Sequence, residues 1–176
     1  GSKDGRMIKP LITKKDIKEI EKKLDTFDKL TSQEVNILQC AKWSEFQIQS
    51  ACNNIFKTAG FGNNAIFLQI DNGGSGSAIE GIRKKKGATG TVSGWPDVEI
   101  KMWKIITDYS SSLYPEDNLV CKSIYIEFKR IGGKITENQQ KWNQFLSNKG
   151  ESIYYCNNLI YFQEVILKEI EELLNV

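Results

Sequence analysis

Histidine is absent from the 176 residues. That absence removes Ser-His and Cys-His triads and every nuclease chemistry built on a histidine base. Any hydrolysis by this chain falls to carboxylates, lysines and a metal ion. No run of about 18 apolar residues occurs, so neither a membrane-spanning helix nor a membrane partner is expected. A signal-peptide pattern is missing as well, and Gly1-Ser2 reads as a tag remnant. The four cysteines, Cys40, Cys52, Cys121 and Cys156, form no CxxC pair and no zinc spacing. Without an export signal they are expected as reduced thiols, with Cys52 and Cys156 in the core. The expected setting is intracellular: cytoplasmic in a bacterial or virus-infected cell, or nuclear in a eukaryote. A P-loop ending in Gly-Lys-Ser/Thr is also lacking, which argues against nucleotide hydrolysis.

What is present suits one globular domain: 40% hydrophobic and 26% charged residues, in a chain long enough to bury a core. The net charge of +2 is unevenly spread. Glu151, Glu164, Glu169, Glu171 and Glu172 stand against Lys168 alone at the C-terminal end, so the rest of the chain is more basic than the total. That is a mild lean toward polyanions and does not by itself argue nucleic-acid binding.

Thr13 is placed to cap a charged helix over about 14–30, with Ile17, Ile20 and Leu24 as its narrow apolar stripe. Ser44 caps a second helix that Gly60 stops, and Ile48, Ala51, Cys52, Ile55 and Phe56 mark its buried face. "AIFLQI" at 65–70 reads as a buried strand. The stretch 71–94 is rich in Gly and Ser and carries Arg83, Lys84, Lys85 and Lys86. There, glycines let backbone amides approach a phosphate beside positive charge, although a solvated basic loop has the same composition. A strand opens at "PDVEI" and runs to about Thr107, "SSSLYPED" is a loop, and a strand returns from about Val120 to Lys129. Thr136 caps a helix through Leu146, "SIYYC" is a short strand, and Phe162 to Leu174 form an amphipathic helix. This order predicts an α/β sandwich with a central mixed sheet flanked by helices.

Within "IYIEFKRIGG" (124–133), Ile124, Ile126 and Phe128 alternate with Tyr125, Glu127 and Lys129, the period of a half-buried strand. Asp97 heads the preceding strand. If the two strands run antiparallel, Asp97 and Glu127 converge at one sheet edge. Two carboxylates there suit Mg²⁺ or Mn²⁺, which take hard oxygen ligands and complete their shells with water. Lys129, two residues beyond Glu127, shares its face and can stabilise charge building on a phosphoryl oxygen. Glu-x-Lys on a strand is also the pattern of an exposed ion pair, and "VEIK" repeats it through Glu99 and Lys101. Asp97 at the strand head singles out the Glu127–Lys129 pair.

"GWPD" (94–97) followed by "IEFKRIGGKITENQQKW" (126–142) resembles the PD-(D/E)XK nuclease superfamily, and more closely its VRR-NUC branch, the virus-type replication-repair nucleases. The matching features are Gly-x-Pro-Asp, the Glu-x-Lys strand, the turn at Gly132-Gly133, and a helix with Thr136, Gln139 and Trp142. Glu45 in "SEFQIQ" and the approach "NGGSGSAIEGIRKKKGATGTVSGWPD" are also similar. The resemblance spans about 43–170 and divides the chain into a charged helical extension, 1–42, and a nuclease domain, 43–176. It implies a restriction-endonuclease-like sandwich and a divalent-metal-dependent DNA endonuclease using Mg²⁺ or Mn²⁺ on duplex or branched DNA, working as a homodimer. It further implies Asp97 and Glu127 as metal ligands, Lys129 as the catalytic lysine, Glu45 as a further acidic ligand, and Gln139 as a supporting residue. Each has a plainer role open to it. Glu45 sits in a helix first turn, where the macrodipole favours an acid, Gln139 can serve as a cap, and Trp142 can be core. Two other functions remain open: a DNA-binding module of the same fold without catalysis, and a protein-interaction domain. The departure from the pattern is the stretch of about thirty residues between Asp97 and Glu127, where a tight hairpin would suffice.

Overall fold

The computed structural model describes residues 8–70, 92–110 and 113–175. Three helices come first: α1 (Lys14–Asp25), α2 (Ser32–Cys40) and α3 (Glu45–Thr58). Each begins on a reciprocal capping box, Thr13 with Asp16, Thr31 with Glu34, and Ser44 with Gln47, which satisfies backbone donors that a helix start leaves open. After a 3₁₀ turn (Gly62–Asn64) come β1 (Ala65–Gln69), β2 (Val98–Asp108) and β3 (Glu116–Phe128). Helix α4 (Glu137–Asn148) crosses over to β4 (Ser152–Cys156). The chain then enters α5 (Leu159–Tyr161), a π-helical stretch (Phe162–Leu167) and α6 (Lys168–Asn175).

The four strands form one mixed sheet in the order β1-β2-β3-β4, with β3 and β4 parallel and the other pairs antiparallel. Val98, Ile100 and Met102 of β2 and Ile124, Ile126 and Phe128 of β3 turn one face to the core. There they meet Ile48, Cys52 and Phe56 of α3 and Phe162, Ile166 and Ile170 of the C-terminal helical stretch. The opposite face carries α4, through Gln139 on Glu127 and Asn143 on Tyr155. The result is the α/β sandwich the alternating pattern predicts. All four cysteines are free, with Cys40, Cys52 and Cys156 buried and Cys121 exposed. No helix among the described residues is long and apolar enough to cross a membrane.

Several boundaries differ from those expected. Helix α1 stops at Asp25, not near residue 30, because Phe27 takes a left-handed φ of 58°. Helix α2 was not anticipated, although Thr31-x-x-Glu34 spells its capping box. Strand β1 buries only Ala65, because among the described residues it pairs with β2 alone and lies at the sheet edge. Strand β3 starts at Glu116 and takes in residues expected in the loop, with Thr107 Oγ1 donating to Asp117 Oδ1 across the pair at 2.7 Å. The last helical stretch starts early because Asn158 caps it by accepting from Tyr161 N. The long stretch after Asp97 is a hairpin. β1 covers β2 only to Met102 and β4 covers β3 only from Ile124, so among the described residues no third strand pairs with 103–108 and 116–123, which continue as a two-stranded ribbon.

A division at 42/43 has no counterpart in the packing. Ile12 and Cys40 belong to the same core as Ile48 and Phe162, with Ile17 and Ile37 packed on it. Asn157 clamps the extension by accepting from Ile12 N (2.8 Å) and donating to Ile12 O (2.9 Å). Burying an isoleucine side chain stabilises by about 1.5–3 kcal/mol, so loss of this layer removes a large part of a typical stability of about 5–15 kcal/mol. A fragment starting at residue 43 is therefore expected to lack a cooperative thermal transition. A sharp transition close to that of the whole chain would show that the extension is dispensable.

Candidate functional site

Asp97 immediately precedes β2, and Glu127 is the penultimate residue of β3. The antiparallel register pairs Val98 with Ile126, so one step further sets Asp97 beside Glu127. Asp97 is fixed at two points. Its carbonyl accepts from Ile70 N at 2.7 Å, and its Oδ2 accepts from Phe128 N at 2.9 Å. The loop before it depends on Gly94, whose φ is 85° and whose Cβ, if present, would lie 2.8 Å from the Asn138 carbonyl carbon. Only glycine lets this loop close on the first turn of α4, where Asn138 Nδ2 donates to Ser93 O at 2.8 Å. Trp95 then packs edge-on to Tyr125 and tilts against Trp142 at 5.7 Å. Trp142 itself is half-buried in this stack, between Trp95 and Phe145.

Gln139 serves two structures at once. It completes the capping box of α4, its Oε1 accepting from Thr136 N at 2.9 Å. Its Nε2 donates to Glu127 Oε1 at 2.8 Å. A glutamate would complete the same box, but it has no donor to offer and would add negative charge. The amide is therefore what ties the helix start to the carboxylate.

Glu127 is fully buried, and its Oε2 has no hydrogen-bond partner among the described residues. Burial, followed by the Asp97 charge, pushes its carboxyl up to about 10. Once protonated, Glu127 can donate to Asp97, which adds to the shift, while Lys129 opposes it. Lys129 projects from the same strand face and is only 8% exposed. Its backbone N donates to Cys156 O at 3.0 Å, and its ammonium makes no hydrogen bond or ion pair among the described residues. Glu45, half-buried in the first turn of α3, faces the same space: burial and then Asp97 raise its carboxyl, while Lys129 and Arg130 lower it. Arg130 is a neighbour that sequence reasoning passed over, although it directly follows Lys129. Glu99 lies apart from this group, accepting from Ser123 Oγ at 3.5 Å and adding to the upward shift of Tyr125.

The structure thus gathers Asp97, Glu127, Lys129, Gln139 and Glu45 around one point. Arg83, Lys84, Lys85 and Lys86 lie outside the described residues. Among the described residues no three carboxylates, thiols or imidazoles come together closely enough to hold one ion. A small divalent cation would therefore take the two adjacent carboxylates, Asp97 and Glu127, and complete its shell with water, as Mg²⁺ commonly does. The buried, partnerless Glu127 Oε2 beside a second carboxylate fits such an ion, because a cation removes both the unmet acceptor and the repulsion.

The raised Glu127 carboxyl has a pH consequence. From about pH 4.5 to about 10 the folded protein holds a proton on Glu127 that the unfolded chain has released. The folded state binds more protons there, so its stability falls as pH rises through that window. In EDTA, the melting temperature of Glu127→Gln should decline less between about pH 5 and pH 9 than that of the parent. Equal declines would mean that Glu127 is not the group responsible.

No family model matches this chain, and neither a curated protein nor a solved structure matches it.

Proposed function

We propose that this protein is a divalent-metal-dependent DNA endonuclease that hydrolyses phosphodiester bonds, with selectivity for branched or junction DNA. The observation that carries this reading is the side-by-side placement of two carboxylates at the ends of β2 and β3, one of them fully buried with a partnerless oxygen. A carboxyl pair of this kind is costly to the fold, and strongly perturbed carboxyls of this type concentrate at functional sites. The resemblance to VRR-NUC nucleases, on the same residues, supplies the reaction class.

Asp97 and Glu127 would hold Mg²⁺ or Mn²⁺, which supplies positive charge against the phosphate and acidifies water. The protein's own groups prepare the site. Phe128 N and Gln139 Nε2 each engage one carboxylate oxygen, Asp97 Oδ2 and Glu127 Oε1, and so fix the orientation of both groups. The Lys129 ammonium, largely shielded from solvent and on the Glu127 face, would stabilise charge that builds on a non-bridging phosphoryl oxygen. Glu45 and Arg130 border the same space and bias it electrostatically.

The test is a gel assay of supercoiled plasmid and a four-way junction in Mg²⁺, Mn²⁺ or EDTA. Cleavage in either metal and none in EDTA is expected. Tight DNA binding without cleavage in any metal would favour a non-catalytic DNA-binding module instead.

A further inference from the structure

One groove lies beside this site without being part of it. A cavity of about 490 Å³ opens between α4 and β4, lined by Gln140, Asn143, Gln144, Ser147, Ile153 and Tyr155. Its position follows from the elements that build the site. Tyr155 pairs with Glu127 in the parallel β3–β4 register, so the two side chains leave the same sheet face one strand apart, about 4.8 Å. Asn143 lies one helical turn beyond Gln139 on the α4 face turned to the sheet.

The lining has an unusual chemistry for a chain that is 26% charged: three amides, two hydroxyls, one isoleucine and no charged group. It offers no lysine or arginine to a phosphate. Asn143 is only 5% exposed, and its Nδ2 donates to the Tyr155 hydroxyl at 2.9 Å. Its Oδ1 has no partner among the described residues, and a buried acceptor left unpaired costs about 1–3 kcal/mol. Because the Tyr155 oxygen accepts from Asn143, its own hydrogen is left to donate elsewhere. The Tyr155 hydroxyl therefore has a donor to offer, flanked by the exposed amides of Gln140 and Gln144, the Gln144 Nε2 donating to Asn148 Oδ1 at 3.0 Å and leaving its oxygen as an acceptor. Asn and Gln amides pair with the donor and acceptor groups on base edges, and the Tyr155 ring can support a base plane.

We infer that this groove is a nucleobase subsite that receives an unpaired base of the DNA strand next to the scissile phosphate. The inference rests on the endonuclease reading and deepens it, because a base inside a duplex stack could not enter a groove of this kind. The site would accordingly select DNA with unpaired nucleotides near the point of cleavage, as at a junction or flap.

The test is equilibrium binding of the full chain, in EDTA, to two single-stranded oligonucleotides of equal length and charge. One carries bases throughout and the other has abasic residues over its central nucleotides. The parent protein should bind the base-bearing strand about tenfold or more tightly, given about 1–3 kcal/mol per engaged base. Gln140 and Gln144 are exposed, so Gln140→Ala/Gln144→Ala is expected to fold normally. It should narrow the gap to a few-fold while leaving the slope of log K against log salt unchanged. Equal binding of both strands by the parent overturns the subsite and leaves the endonuclease reading standing. So does a gap that the double variant does not alter. Should that variant fail to fold, the parent's own comparison of the two strands decides. Binding to neither strand overturns the subsite, and the junction cleavage assay then decides the endonuclease reading separately.

Discussion

Asp97→Asn is expected to abolish cleavage while leaving the fold intact. The substitution keeps the shape and an oxygen able to accept from Phe128 N, so the β2–β3 junction should hold. What it removes is one of the two negative charges that would hold the cation. Charge stabilisation by a metal at a phosphate is worth several kcal/mol, so cleavage should fall on the order of 10²–10⁴-fold. The melting temperature in EDTA should stay about the same, because the amide oxygen can still accept from Phe128 N. Single-turnover cleavage of a junction, with thermal melts alongside, measures both quantities. Cleavage at the parent rate would show that Asp97 is not a ligand.

Lys129→Ala should separate rate from affinity. One ammonium among many phosphate contacts adds little to DNA binding, since each released counterion changes the salt slope by about one. Near the scissile phosphate, in a site shielded from water, the same charge acts on the transition state and its loss should cost about 10²–10³ in rate. Single-turnover rate and equilibrium affinity, measured on the same junction, test this. Equal losses in the two would make Lys129 an ordinary groove lysine. Its removal also leaves Glu127 without its nearest opposing charge, so the Glu127 carboxyl should be held still higher.

The candidate site was legible where its pattern is local and periodic. Ile124, Ile126 and Phe128 fixed which face Glu127 takes, and antiparallel pairing then determined what stands next to it. The double role of Gln139 was half-visible: Thr136-x-x-Gln139 spells a capping box, but only the packing of α4 on the sheet aims its amide at Glu127. Arg130 and the Asn143–Tyr155 pair could not be found by pattern. Their importance arises from contacts between elements distant in sequence. Helix α2 was missed for want of a strong apolar period, although its cap was written out. The role of the first forty residues was hidden for a different reason. Ile12 and Cys40 look ordinary until Asn157, at the other end of the chain, binds the backbone of Ile12. The stretch after Asp97 was legible as two strands joined by a loop, but not as a ribbon that outruns the sheet, because Ile105 and Leu119, 64% and 68% exposed, break the expectation that apolar strand residues find a core.

The proposed function requires that Asp97 and Glu127 together hold a divalent cation. Titration of Mn²⁺ into the DNA-free protein, followed by electron paramagnetic resonance of the free ion, measures this without any assumption about substrate. The parent is expected to remove Mn²⁺ from solution at one site per chain, more tightly as pH rises and Glu127 gives up its proton. Asp97→Asn and Glu127→Gln should each lose that site. Mn²⁺ binding of unchanged affinity in both variants, or none in the parent, would contradict a metal site at Asp97 and Glu127.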